Sequence, residues 1–212
     1  MQIRVLLLAL GLGLGLATAA AAAPTPEQTV DMTELLKPGP LPELSVGPAT
    51  GVPIVEYGSV TCPHCAVFDR ETWPKLKAAY VDTGKVRYIF REFSRNPLDV
   101  AAFTLARCIG GDDTAKTMAA IELEFETQDK WAFTDRPLQP LFDALRPTGL
   151  PQDKAMACLK DQALIGKVRA ITENAEKLVK IQGTPTFVIN GKSYGGELSM
   201  KDFDELLKPL IK

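Results

Sequence analysis

Val52-Pro53-Ile54-Val55-Glu56-Tyr57, followed four residues later by Cys62-Pro63-His64-Cys65, is the stretch on which the fold turns. The first six residues are mostly apolar and rich in β-branched side chains, the pattern of a short buried strand. Beyond the cysteines the apolar period changes: Cys65, Phe68, Leu76 and Ala79 fall near one face of a helix that Pro74 is expected to kink. Lys85-Val86-Arg87-Tyr88-Ile89-Phe90-Arg91-Glu92-Phe93 reads as a second strand, bounded by Gly84 and Asn96-Pro97. The unit is strand, helix, strand, with two cysteines where the helix opens.

That placement makes the cysteine pair a redox candidate. A helix N-terminus presents unpaired N–H groups and the positive end of the helix dipole, so it favours a thiolate on Cys62 over the neutral thiol. His64 can add a second donor or a positive charge. One pKa unit is worth about 1.4 kcal/mol, whereas a helix terminus supplies roughly 0.3 to 2 kcal/mol. A shift of several units therefore needs several donors, including His64 and the thiol or amide of Cys65. Two other readings stay open at this point: an inert small-loop disulfide, and half of a zinc site. Zinc would need two more ligands, and with a single His in the chain the candidates are Cys108 and Cys158, neither of which belongs to a second C-x-x-C.

Cys108 and Cys158 sit near the ends of two helical stretches, a spacing that suits a structural disulfide between packed helices. Closing a loop of about 50 residues contributes roughly 4 kcal/mol in the chain-entropy model. The functional alternative is a second redox pair or a regulatory switch.

Downstream of the second strand the apolar residues keep helical spacing: Leu98, Ala101, Leu105 and Ile109, then Met118, Ile121 and Phe125, then Leu138, Leu141, Phe142 and Leu145. Leu164, Val168, Ile171, Ala175 and Leu178 continue through a long helix that Gly183 is expected to end. Thr186-Phe187-Val188-Ile189 returns to strand, Asn190-Gly191 is a hairpin turn, and Lys192-Ser193-Tyr194 should pair back antiparallel. Ser199 can cap a last helix with Phe203, Leu206, Leu207 and Leu210 on its apolar face. The order predicts an α/β domain interrupted by an all-helical insertion, its sheet assembled from segments on either side.

Upstream, Met1 to Ala23 carries Arg4, an apolar run and an alanine tail, the order of a secretory signal peptide, with Ala20 and Ala22 placed for cleavage after Ala22. An uncleaved membrane anchor is the alternative. Either exports the rest of the chain to a compartment where disulfides persist. The proline-dense stretch up to Pro53 is expected to be an extended tether with little regular structure. The expected divisions are a signal peptide over 1–22, a tether over 23–50, a first α/β part over 51–96, a helical insertion over 97–163 and a second α/β part over 164–212. A net charge of -2 leaves no basic footprint for nucleic acid.

With Cys62-Pro63-His64-Cys65, the helical insertion and Gly183-Thr184-Pro185-Thr186-Phe187 in place, residues 50–212 resemble the DsbA family of periplasmic disulfide oxidoreductases, which have the thioredoxin fold. The resemblance implies that Thr184-Pro185 is a cis-proline loop packed against the disulfide. It also implies that the Thr184 backbone bonds an extended substrate segment, that Pro185 blocks metal capture, and that Glu56 is a buried acid beneath Cys65. Without the resemblance, Pro185 could be an ordinary trans proline and Glu56 a strand-edge carboxylate facing water. The implied activity is dithiol oxidation of reduced exported polypeptides in the periplasm, by a monomer without cofactor or metal. A quinone-linked membrane oxidoreductase would restore the disulfide. Thr184, where enteric oxidases of this family usually carry valine, also suits a reductase or isomerase. A non-catalytic chaperone or binding module around His64 and Pro185 is the reading from a different class.

Overall fold

In the computed structural model, which describes residues 24–211, the chain enters through β1 (Gln28–Thr29), one helical turn, α1 (Met32–Leu35), and β2 (Leu44–Val46). The leader expected over 1–22 lies outside the described residues. The tether expected over 23–50 is corrected: this segment belongs to the sheet and to the core. Val30, Leu35 and Leu44 are buried, and Asp31 caps α1 by accepting from the amides of Thr33 and Glu34. Proline density misleads here because Pro38, Pro40 and Pro42 fall between α1 and β2, outside the paired positions. Both short strands also sit at sheet edges, where only one side must be hydrogen-bonded.

The strand, helix, strand unit follows as β3 (Val52–Gly58), α2 (Pro63–Glu71), α3 (Trp73–Leu76) and β4 (Val86–Glu92). The helix is broken at Thr72, one residue before Trp73-Pro74, and α3 runs into a π-helical turn over Lys77–Val81. Proline has no N–H to continue the ladder, which accounts for the break. Five helices then intervene: α4 (Pro97–Gly110), α5 (Thr114–Glu126), α6 (Gln128–Trp131), α7 (Leu138–Leu145) and α8 (Gln152–Cys158). The chain returns through α9 (Gln162–Leu178), β5 (Thr186–Ile189), β6 (Lys192–Gly195) and α10 (Met200–Leu207).

The long helix stops at Leu178 and not at Gly183. The amides of Val179 and Lys180 both turn back to the Ala175 carbonyl, and Lys180 takes a left-handed φ of 50°. A left-handed residue closes a helix whether or not it is glycine, and a lysine in that role leaves no sequence signal. The hairpin turn reads as expected, with Asn190 and Gly191 at φ 48° and 73° joining β5 to β6.

The sheet order is β1-β6-β5-β3-β4-β2. β3 runs parallel to β4 and antiparallel to β5, and Pro53 lies outside the stretch, Ile54–Tyr57, that β5 pairs. Alternate residues go to opposite faces. Ile54, Tyr88, Phe90, Phe187 and Ile189 join the large core that also holds Phe68, Leu76, Phe103, Ile121, Trp131 and Phe203 from the helices. Val55, Tyr57, Ile89 and Val188 join a smaller core closed by Val30, Leu35, Ala175 and Val179. The sheet thus has two covered faces, and the cysteine pair lies on the side of the large core.

Candidate active site

Cys62 is the N-cap residue of α2, with extended backbone (φ −90°, ψ 119°), and Pro63 occupies the first helical position. Its side chain makes no cap hydrogen bond, so the first-turn amides have no side-chain acceptor while the thiol is protonated. The thiol is pulled from 9.0 to about 5. The Cys65 side chain is the main cause, aided by the Thr184 side chain and the amides of Cys65 and His64, all against an opposing effect of burial. The protonated thiol donates to the Thr184 carbonyl at 3.1 Å. That carbonyl favours the neutral form, and the donors outweigh it. The sulfur is covered in this reduced form, with Cys62 only 3% accessible, because it turns in toward Thr184.

Cys65 faces the other way. It is fully buried, receives the Ser59 amide at 3.5 Å, and its thiol is pushed well above 9.0 by burial first and then by Cys62 and Glu56. Glu56 is 2% accessible, on the large-core face of β3, and accepts from the Tyr88 hydroxyl. Burial raises its carboxyl to about 8 although the Tyr88 hydrogen bond opposes the shift; the charges of Asp69 and Cys62 add to the rise. A strand-edge carboxylate facing water is therefore not what the structure contains. Gly58 leaves room for this group, since a Cβ there would stand 3.0 Å from Glu56 Oε1 and 2.5 Å from the Phe90 ring.

The Thr184–Pro185 peptide is cis. The loop lies against the dithiol through the Thr184 carbonyl, which accepts from the Cys62 thiol. The sequence reading gives His64 a donor or a charge for the sulfur. Its amide does contribute to Cys62, but its exposed ring contacts Glu197, on the loop that follows β6. Cys108, in α4, and Cys158, in α8, are joined in a disulfide with Cα atoms 6.2 Å apart. Their pairing removes the two thiols that a four-cysteine zinc site with Cys62 and Cys65 would require.

Two supports were not legible in the sequence. Gln128, from α6, donates to the carbonyls of Val60 and Cys62 at 2.7 and 3.0 Å. Asp99, from α4, is buried and accepts from the Thr61 amide at 2.9 Å, the Arg95 amide at 2.9 Å and the Ser59 hydroxyl at 2.9 and 3.0 Å. Both come from the helical insertion and fasten the loop between β3 and α2. Neither belongs to a motif. The only sequence sign is a polar residue interrupting an apolar helical face.

Two cysteines of unequal acidity at a helix N-terminus, faced by a cis-proline loop on a mixed sheet, define a thioredoxin-fold protein built around a C-x-x-C dithiol. A family model described as Thioredoxin matches residues 45–209. A Rickettsia prowazekii protein carried under a protein-disulfide oxidoreductase name is 36% identical over 142 residues, 67% of this chain and 52% of that one. Disulfide bond formation protein D of Bacillus subtilis is 26% identical over 76% of this chain and 72% of its own length. The chain thus spans about half the length of the Rickettsia relatives it matches. Among solved structures, alpha-DsbA1 of Wolbachia pipientis is 28% identical and superposes with a TM-score of 0.75 over 84% of this chain and 94% of that one. BdbD from Bacillus subtilis, at 19% identity and TM-score 0.71, shares the fold over 89% of this chain and 98% of its own. The chain belongs to the thioredoxin family, as a DsbA-like member with a helical insertion.

Proposed function

We propose that this chain is a dithiol oxidase that introduces disulfides into exported polypeptides through Cys62 and Cys65. The observation that carries this reading is the asymmetry of the pair. Cys62 sits among donors at a helix N-terminus, whereas Cys65 is sealed beneath it beside a protonated carboxyl.

In the oxidised form a substrate thiolate attacks the Cys62 sulfur. The Cys62–Cys65 bond breaks, a mixed disulfide forms, and Cys65 departs with the electron pair. Cys65 is a poor anion in its buried site, so it needs a proton at once, and the neutral Glu56 carboxyl would supply it. A second substrate thiolate then attacks the substrate sulfur of the mixed disulfide and expels Cys62 as a thiolate. The substrate has lost two electrons and the enzyme has gained them. Stabilising that leaving thiolate stabilises the reduced enzyme, which makes the disulfide form the stronger oxidant. The cis-Pro185 loop would bind an extended substrate segment beside Cys62 through the Thr184 backbone.

The Cys108–Cys158 disulfide suits an oxidising compartment, and the leader-like first residues suit export to the periplasm. Among the described residues no helix is long and apolar enough to cross a membrane. Reoxidation would fall to a quinone-linked membrane partner. The test is to trap mixed disulfides with a Cys65→Ser variant in the exporting cell. Capture of newly exported, cysteine-bearing chains supports the oxidase. A reductase or isomerase would instead capture proteins that already hold disulfides, and a binding module would keep its activity as Cys62→Ala.

A further inference from the structure

The loop that presents Cys62 is held from a distant part of the chain. Gln128, 5% accessible, directs its Nε2 amide to two carbonyls of that loop at once, Val60 at 2.7 Å and Cys62 at 3.0 Å. The Cys62 carbonyl also accepts the first α2 helix bond, from the Ala66 amide at 3.2 Å, so Gln128 occupies its second lone pair. The single turn that carries Gln128 is itself pinned. Trp131, fully buried, donates its indole N–H to the Glu124 carbonyl of α5 at 3.0 Å, and the Ala132 amide closes on the Gln128 carbonyl at 2.8 Å.

We infer that Gln128 is a positioning residue for the dithiol: it clamps the peptide groups of Val60 and Cys62 so that the His64 and Cys65 amides converge on the Cys62 sulfur. This rests on the reading of Cys62 and Cys65 as an exchange centre. The physical basis is directional. A charge-assisted hydrogen bond weakens steeply when donor and acceptor are misaligned, and a first helical turn held only by its own bonds frays. Withdrawing the Gln128 amide also uncovers the partial negative charge of the Cys62 carbonyl close to the thiolate. Both effects disfavour the anion. The helical insertion therefore sets how oxidising the disulfide is, through one amide and without touching either sulfur.

The experiment uses the purified full chain and Gln128→Met, which keeps the length and stem of the side chain and removes the donor. Thiolate absorbance reads the ionisation of Cys62, and equilibration with glutathione reads the disulfide's stability. Gln128→Met is expected to weaken the Cys62 ionisation constant at least about threefold. The same factor in the glutathione equilibrium, toward the disulfide form, corresponds to about 15 mV. Replacing Cys108 and Cys158 together with alanine, which loosens the insertion between α4 and α8 and leaves α6 untouched, is expected to move neither quantity. Gln128→Asn, which retains the amide but falls short by one methylene, replaces Gln128→Met if that variant does not fold. An unchanged ionisation constant in the Gln128 variant, or an equal shift in the Cys108/Cys158 double variant, overturns the inference while the exchange reading stands. Failure of the unmodified chain to exchange with glutathione at all overturns both.

Discussion

Lowering the pH should convert the redox response of the Cys62–Cys65 pair from one regime to another, at a point set by Cys62. Its thiol is depressed from 9.0 to about 5 in the folded reduced form. The thiolate thus contributes stability to the reduced form that is absent below about pH 5, grows as pH rises, and is complete only above about pH 9. At pH 7 the ratio of ionisation polynomials is about a hundredfold, or about 2.7 kcal/mol, which is about 60 mV for a two-electron couple. The disulfide should therefore be up to about 60 mV more oxidising than the same pair with ordinary thiols. Reduction takes up two protons below the Cys62 pKa and one above it. The potential should therefore fall by about 60 mV per pH unit below about pH 5 and by about 30 mV per unit above it. Equilibration with glutathione at a series of pH values, followed by acid quenching, alkylation and mass mapping of the Cys62–Cys65 peptide, measures both slopes. One slope of about 60 mV per unit continuing to about pH 8 would refute the asymmetry on which the proposed chemistry depends.

Three further outcomes are expected. Glu56→Gln should stabilise the protein: the folded carboxyl titrates near 8 and the unfolded one near 4.5, so the native state bears a cost that builds between those values. The gain should be about 1 to 3 kcal/mol at pH 7 and vanish below about pH 4, as read from urea midpoints at the two conditions. Replacing Cys108 and Cys158 together with alanine should cost roughly 4 kcal/mol in denaturant unfolding and leave the thiolate absorbance of Cys62 unchanged. Leu35→Ala and Leu44→Ala should each cost about 2 to 5 kcal/mol by the same measurement, whereas in a loose tether neither would matter.

The centre of the fold was readable because its signals are local. Strand periodicity in Val52–Tyr57, the Asn190-Gly191 turn and the Ser199 cap, which closes a capping box with Asp202, each depend on neighbours within a few residues. What escaped depends on distant partners. β1 becomes a strand because β6 offers it a free edge, and β2 because β4 does, so neither shows in a propensity pattern broken by prolines. Glu56 is buried against Tyr88 of the neighbouring strand β4, and Gln128 meets Cys62 across 66 positions of chain. The ring of His64 illustrates a subtler miss: a histidine between the cysteines suggests a charge for the sulfur, but Glu197 lies within its reach once β6 is in place.

The segment before Val52 supplies both outermost strands, β1 beside β6 and β2 beside β4, and crosses one face of the sheet between them. It works like a belt whose buckle is made last. β1, near the start of the described chain, cannot pair until β6, close to its end, has emerged and formed its hairpin. Contacts of such long sequence range make assembly slow and cooperative, and they leave two exposed strand edges until the belt closes. A nascent chain would thus stay unbuckled, with its own sheet edges open to other chains, until its last strands have been made.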